Sequence, residues 1–89
     1  MADAVMIRVT PDDYERWLSA HQGAVEARKD YGMSDGPIYR DAADPNSVLV
    51  QLDVDDLDRA MGWFTDERFT SGVAAAGKVH REIFFARRR

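Results

Sequence analysis

The sequence predicts one α+β domain whose elements follow the order βαββαβ. Three features of the middle of the chain carry this prediction. Residues 48–54 alternate apolar and polar side chains, which is typical of a strand with one buried face. Asp44-Pro45-Asn46 precedes this strand as a turn, and an aspartate-rich segment at 55–58 follows it as a helix start. With 89 residues, the chain has the length of a single domain, spanning 1–89.

The N-terminal part of the chain predicts a strand followed by a helix. The strand covers residues 4–9, with Val5, Ile7 and Val9 on one side and Met6 and Arg8 on the other. Thr10 is the expected N-cap, because Pro11 follows at the first helical position and acidic residues come next. Apolar and aromatic residues then recur at helical spacing, so the helix is expected to end near Tyr31.

Capping residues predict the second helical region. Asp55 or Asp56 is expected to cap the helix that follows the third strand. Thr65-Asp66 has the form of a new N-cap, so the helix is expected to break there and resume. Gly77 is expected to terminate it.

Two further strands complete the predicted sheet. A short strand at 36–41 is expected at an edge, because Pro37 cannot donate a ladder hydrogen bond. The last strand is expected at 79–86. The resulting order predicts a ferredoxin-like fold: an antiparallel four-stranded sheet of strand order 4-1-3-2, with both helices on one face.

Side-chain alternation divides the predicted sheet into two faces. The more apolar face is expected under the helices; Arg81 is its one charged member, and its stem is expected to reach toward an edge. The other face is mixed and is expected to present Met6, Arg8, Leu49, Gln51, Asp53, His80, Glu82 and Phe84. Its apolar members would form an exposed patch on a monomer, so the chain is expected to be a homodimer.

Arg8 and His80 are the candidate catalytic residues of the mixed face. Because the first strand lies between the third and the fourth, Arg8 is expected to have Gln51 or Asp53 on one side and His80 or Glu82 on the other. In a catalytic interpretation, His80 moves a proton near neutral pH and Arg8 holds a carboxylate or enolate oxygen. In the competing interpretation, which is slightly favoured, these groups form cross-strand ion pairs without chemistry.

Two more candidate positions depend on packing. Either Tyr39 or Arg40 shares the mixed face, because a one-residue slip in register turns every side chain to the other face. His21 lies on the apolar side of the first helix. A buried, hydrogen-bonded histidine is the favoured interpretation, and a ligand-facing imidazole is the alternative. The expected ligand-binding residues are Tyr39, Gln51, Asp53, Glu82, Phe84 and His21.

Composition narrows the classes of function. A net charge of −4 argues against nucleic acid as the main partner. Without cysteine, and with only two histidines, the chain has no metal-ligand spacing, and no metal site is expected. No glycine-rich phosphate or dinucleotide motif is present, so no cofactor is expected. No apolar run approaches the roughly 20 residues of a membrane span, and the N-terminus lacks signal-peptide features, so a cytoplasmic location without membrane contact is expected.

Three segments carry a resemblance to a known family. They are Tyr14-Glu15-Arg16-Trp17, Tyr39-Arg40-Asp41 and Asp55-Asp56-Leu57-Asp58-Arg59-Ala60. Together they resemble small stand-alone proteins of the dimeric α/β-barrel superfamily, of the antibiotic-biosynthesis-monooxygenase-like and polyketide-cyclase-like kinds. The resemblance implies two ferredoxin-like sheets paired face to face, with a ligand cavity inside the barrel or between helices and sheet. Relatives of this kind include cofactor-free oxygenases, cyclases and isomerases.

The sequence supports two functional hypotheses. The leading one is a homodimer that binds a small apolar or aromatic organic molecule. Any catalysis would be cofactor-free, with His80 as the base, Arg8 as the anion holder, and Gln51 or Tyr39 positioning the ligand. The alternative is a non-catalytic dimeric binding or assembly module, in which the charged groups of the mixed face pair with one another or across the two-fold axis.

Overall fold

A computed structural model describes residues 3–89 of the chain. The strands are β1 (Asp3–Pro11), β2 (Met33–Arg40), β3 (Val48–Val54) and β4 (Val79–Ala86). The helices are α1 (Tyr14–Gly23), α2 (Val25–Lys29), α3 (Leu57–Met61) and α4 (Glu67–Ala76), with a 3-10 turn at Gly62–Thr65. The sheet order β2-β3-β1-β4 is the predicted order 4-1-3-2 read from the other edge, so the ferredoxin-like α+β fold is confirmed.

The core lies between the helices and one face of the sheet. In the antiparallel register, Val5 of β1 lies opposite Leu52 of β3 and Phe85 of β4. Every second residue of β3 is buried, as its alternation predicts. The buried apolar residues are Val5, Val9, Trp17, Met33, Val48, Val50, Leu52, Val54, Leu57, Ala60, Trp63 and Ala76.

The first helix begins later than predicted. Thr10 and Pro11 extend β1 rather than capping a helix, and they lie opposite His80 and Val79 of β4. Pro11 is tolerated there because β1 pairs with β3 only as far as Val9, so beyond it β1 is an edge toward β3. Asp13 is the N-cap instead, and its Oδ1 accepts from the Arg16 backbone N–H at 3.1 Å.

The predicted long first helix is in fact two helices. Helical geometry is interrupted at Ala24, which has φ −100° and ψ 7°, directly after Gly23. Glycine is a poor helix former, so this junction is a favourable place for a break. The His21 carbonyl near the end of α1 accepts a hydrogen bond from Arg28 Nη2 at 2.8 Å. The break therefore brings a side chain of α2 back onto the last turn of α1.

The second helical region follows its predicted caps. Asp56 caps α3, accepting from the backbone N–H of Asp58 at 2.9 Å. Asp66 caps α4, accepting from the backbone N–H of Arg68 at 2.7 Å. Gly77 follows α4 with φ +82°, a conformation that favours glycine. The break at Thr65-Asp66 and the end at Gly77 are thus both confirmed.

Strand β2 contains a bulge. Asp35 lies opposite Leu52, and Ile38 lies opposite Val50, so three steps along β2 match two along β3. One extra residue is therefore inserted into β2. A Cβ added at Gly36 would lie 2.8 Å from a backbone carbonyl oxygen of β3, so this close approach requires glycine.

The bulge decides which side chain of the pair 39–40 joins the mixed face. Tyr39 lies opposite Leu49, on the face away from the helices. Arg40 lies on the helix-packed face, and its Cζ sits 3.7 Å from the centre of the Tyr14 ring. This geometry is a cation–π contact.

Candidate functional site

The sheet face turned away from the helices, here termed the open face, carries the side chains predicted for the mixed face together with Tyr39. Its register places Met6 opposite Gln51 and Phe84. Four large apolar side chains of this face are exposed, with exposed fractions of 43% for Met6, 59% for Tyr39, 37% for Leu49 and 55% for Phe84. Leu49 lies beside Tyr39, so the apolar side chains form neighbouring pairs across the sheet.

Arg8 on the open face is bound by the connection between β2 and β3. Its Nη1 donates to Asp41 Oδ2 at 3.2 Å and to Ser47 Oγ at 2.9 Å. The backbone N–H of Ala43 and then the Arg8 guanidinium lower the pKa of the Asp41 carboxyl. Arg8 therefore links β1 by hydrogen bonds to both ends of the β2–β3 connection.

His80 lies at the end of the open face. It is opposite Thr10 and exposed, and it borders a shallow groove open to solvent, together with Pro11, Asp12 and Lys78. The residue directly opposite Arg8 on β4 is Glu82 rather than His80. The structure thus does not gather Arg8 and His80 around a cavity, and their catalytic assignment stays a prediction.

The other predicted polar residues of the open face are Gln51, Asp53 and Glu82. Gln51 Nε2 donates to Asp53 Oδ1 at 3.0 Å, so these two residues bond to each other along β3. Glu82 lies on β4, two residues from Phe84. Their assignment as ligand-binding residues also stays a prediction.

A cleft lies between the helices and the opposite face of the sheet. Its volume is about 60 Å³, and its walls come from β1, β3, β4, α1, α4 and the 3-10 turn. Four aromatic side chains line it: Trp17, Trp63, Phe64 and Phe69. The ring of Phe69 packs edge-on against Phe64, with centroids 5.0 Å apart, and against Trp63, with centroids 5.8 Å apart. These geometries are favourable for aromatic pairs.

Of the sequence-predicted ligand residues, His21 is the one that lines this cleft. Its ring stacks on Trp17, with centroids 5.1 Å apart and an interplanar angle of 20°. Burial and, to a smaller extent, the Arg28 cation lower the pKa of His21 from 6.5 to about 4. The imidazole is therefore neutral at pH 7 and offers the cleft one donor and one acceptor nitrogen.

Arg28 holds the end of α1 in place. It is only 3% exposed. Its Nε and Nη2 reach Asp35 Oδ1 at 3.1 and 3.0 Å, and Nη2 also donates to the His21 carbonyl. Buried charges of this kind are tolerated when they are paired and hydrogen-bonded. The pair ties α2 and β2 to the turn of α1 that carries His21.

Three arginines line the cleft, and they differ in their partners. Arg28 pairs with Asp35, whereas Arg68 pairs with Asp66 at 3.0 Å and Asp30 at 2.8 Å. Among residues 3–89, Arg81 forms no ion pair. Partial burial lowers the pKa of the Arg81 guanidinium. Arg81 is therefore the cleft cation whose charge the described part of the chain leaves unbalanced.

The resemblance implied a cavity inside the barrel or between helices and sheet, and His21 was a predicted ligand residue, but the other walls of this cleft, Gly72 and Arg81 among them, were not predicted. Gly72 lies inside α4, where glycine costs about 1 kcal/mol relative to alanine. It borders the cleft, and a Cβ added there would meet no atom within 4 Å. Gly72 therefore leaves one point of the α4 wall without a side chain. The sequence predicts Arg81 only as the one charged member of the apolar face.

Within residues 3–89, no three His, Cys, Asp or Glu side chains are grouped so that they could hold a metal ion. No helix of that same range is both long and apolar enough to cross a bilayer.

Comparison with known proteins gives matches in structure. No protein-family model matches the sequence. No curated protein matches it significantly. A conserved protein from Methanosarcina mazei Go1 superposes with a TM-score of 0.63 at 11% identity, over 98% of this chain and 95% of its own.

Two further solved structures share the fold. An antibiotic biosynthesis monooxygenase superposes with a TM-score of 0.59 at 15% identity, over 96% of this chain and 99% of its own. A NIPSNAP family protein of unknown function from Agrobacterium tumefaciens gives a TM-score of 0.57 at 15% identity, over 97% of this chain and 90% of its own. The chain therefore shares its fold with these structures, and this ferredoxin-like α+β fold is the one that the resemblance in its sequence implied.

Proposed function

We propose that this chain is a homodimeric protein that binds a small apolar or aromatic organic molecule in the cleft between the helices and the sheet. The observation that carries the proposal is an aromatic-lined cleft with a neutral imidazole, His21, stacked on Trp17. Ligand sites are typically concave and mostly apolar, with a few polar groups that orient the ligand. The cleft has this composition.

The volume of the cleft indicates how a ligand would enter. About 60 Å³ is smaller than the engineered cavity of roughly 150 Å³ that holds benzene. A single aromatic ring therefore fits only when α1 and α4 move apart or the aromatic side chains rotate. Gly72 favours such adjustment, because it leaves the α4 wall without a side chain at that point.

The resemblance also implies a class of reaction, and the proposal of ligand binding does not depend on it. Cofactor-free oxygenation, cyclisation or isomerisation, with His80 as base and Arg8 as anion holder, stays a prediction. The contacts of Arg8 with Asp41 and Ser47 favour the non-catalytic alternative, because they give this guanidinium a structural role. We therefore state the proposed function as ligand binding by a dimer.

Ligand binding is tested through the indole N–H signals of Trp17 and Trp63, the only tryptophans in the chain, which both line the cleft. We expect benzoate, benzamide or both to shift these two signals in an NMR titration at millimolar concentration. Gly72→Leu should fill the cleft and reduce the shifts at least severalfold. Gly23→Leu is the matched control, because Gly23 is also helical and open but lies outside the cleft.

Two outcomes would refute the binding proposal. In the first, neither aromatic probe moves either indole signal of the wild-type protein. In the second, Gly72→Leu binds the probes as tightly as Gly23→Leu does. Both variants should retain the dispersed amide spectrum of the wild-type fold, because neither added side chain meets an atom at its Cβ.

The dimer has its own test on the open face. Met6 and Met61 are each 43% exposed, but Met6 lies on the open face and Met61 on α3. Met6→Lys should place a charge in the proposed interface and shift the particle from twice the chain mass to one chain mass in light scattering. Met61→Lys should leave the mass unchanged. A wild-type protein with the mass of one chain would contradict the dimer.

A further inference from the structure

Arg81 occupies a strand position whose neighbours on the same face are apolar. It lies opposite Val9 of β1, and Val79 and Ile83 precede and follow it on the same side of β4. A guanidinium in this position gives up part of its hydration. An apolar residue would fit the position at lower cost, so packing alone does not account for arginine there.

The other two arginines of the cleft show what structural arginines look like in this protein. Arg28 reaches both oxygens of Asp35, and Arg68 binds Asp66 and Asp30. Both guanidinium groups are thus neutralised by carboxylates of the chain itself. Arg81 has no such partner within residues 3–89, yet it lines the same cleft.

We infer that Arg81 binds a carboxylate of the cleft ligand, so that the ligand class is a small aromatic or apolar carboxylic acid. The planar guanidinium fork matches a carboxylate, and it can donate two parallel hydrogen bonds to it. The aromatic walls would contact the ring of the ligand, while Arg81 balances its charge. This inference rests on the proposed function, since it names the ligand of the same cleft.

The neutral state of His21 is compatible with an anionic ligand. His21 and Arg81 line the same cleft, and the stacked imidazole of His21 brings no second charge there. The imidazole N–H is a further donor for a carboxylate oxygen. Phe64 and Phe69 line the same cleft and offer the ring of the ligand an apolar surface. The carboxylate and the ring of an aromatic acid thus both have matching groups in the cleft.

The inference is tested by comparing benzoate with benzamide, which share a ring and differ in charge. We expect the wild-type protein to bind benzoate about tenfold more tightly than benzamide, since a hydrogen bond to a charged group is stronger than a neutral one. Arg81→Met keeps the length of the apolar stem and should bring the ratio close to one. Arg87→Met, which removes an exposed arginine beyond β4, should keep the wild-type ratio.

Two further measurements separate ligand binding from a structural role. Arg81→Met should retain or raise the Tm of the wild-type protein, because the guanidinium has no partner to lose. Acetate, a carboxylate without a ring, should leave both indole signals unmoved at the concentration at which benzoate shifts them. A lower Tm with an unchanged benzoate preference would make Arg81 structural and overturn the inference.

Failure of the inference and failure of the proposed function look different in this experiment. Equal affinity of the wild-type protein for benzoate and benzamide would overturn the role of Arg81 while leaving the cleft as a binding site. Shifts with acetate equal to those with benzoate would reduce Arg81 to a general anion site. Absence of binding by either aromatic probe would overturn the proposed function itself.

Discussion

Replacing Trp63 by alanine is expected to lower the free energy of unfolding by about 3–5 kcal/mol, the usual cost of deleting a buried tryptophan side chain. Trp63 is 3% exposed, and its ring packs against Tyr31 and Phe69 at centroid distances of 5.9 and 5.8 Å. Small domains have only about 5–15 kcal/mol of stability, so the variant is expected to be partly unfolded under mild conditions. Urea denaturation at one fixed protein concentration measures the change.

The control for Trp63→Ala is a large-to-small change at an exposed site. Met61 is 43% exposed on α3, so Met61→Ala should alter the free energy of unfolding by no more than about 0.5 kcal/mol. A loss below about 1 kcal/mol for Trp63→Ala would mean that the indole does not hold the 3-10 turn against α4. The same variant should also enlarge the cleft, since Trp63 forms one of its walls.

The stability of the protein is expected to fall by about 3 kcal/mol as the pH is lowered from 6.5 to 4, because of His21. Its pKa is 6.5 when unfolded and about 4 when folded, which at about 1.4 kcal/mol per pH unit corresponds to about 3.5 kcal/mol in full, and about 3 kcal/mol of this is lost by pH 4. The unfolded chain therefore binds the proton first, and acid favours unfolding. The stabilisation is complete above pH 6.5 and is lost progressively as the pH falls toward 4.

The contribution of His21 can be measured separately from that of the carboxyl groups whose pKa values are shifted. Burial is the larger cause of its lowered pKa, Arg28 adds to it, and Asp35 opposes it. Asp41 and Asp66 have pKa values lowered from 3.8, so their contributions are lost only at pH values below that of the window. His21→Phe should flatten the profile of unfolding free energy between pH 6.5 and 4.

The other histidine serves as the control for this pH profile. His80 is exposed, so His80→Gln should retain the fall in stability on acidification. A fall that persists in His21→Phe would instead assign the acid sensitivity to carboxyl groups. Denaturant titrations at pH 7, 5.5 and 4 on the three proteins distinguish these results.

Local signals were sufficient for most of the fold. The alternation of β3 and the capping residues Asp56, Asp66 and Gly77 act within a few residues of themselves, and the structure has these elements where they were predicted. The start of α1 was wrong because Thr10 and Pro11 pair with β4, a strand more than 60 residues away in sequence. At Thr10, pairing with β4 therefore outweighs the local propensity to cap a helix.

The candidate site was much less predictable than the fold. Whether an arginine is neutralised depends on which carboxylate lies beside it after folding, and Arg28, Arg68 and Arg81 look alike in the sequence. The partner of Arg68, Asp30, is 38 residues away. The cleft itself arises where α1 meets α4, and no single segment encodes that gap.

The bulge in β2 has a consequence for how this surface can change during evolution. Deleting Gly36 or Pro37 would remove the extra residue and restore one-to-one pairing with β3. Tyr39 would keep Leu49 as its partner, so no side chain of the strand would change face. A single-codon deletion at either position is therefore compatible with the surface proposed for subunit contact. In descendants of this gene, the bulge would let β2 vary by one residue in length without turning Tyr39 away from that surface.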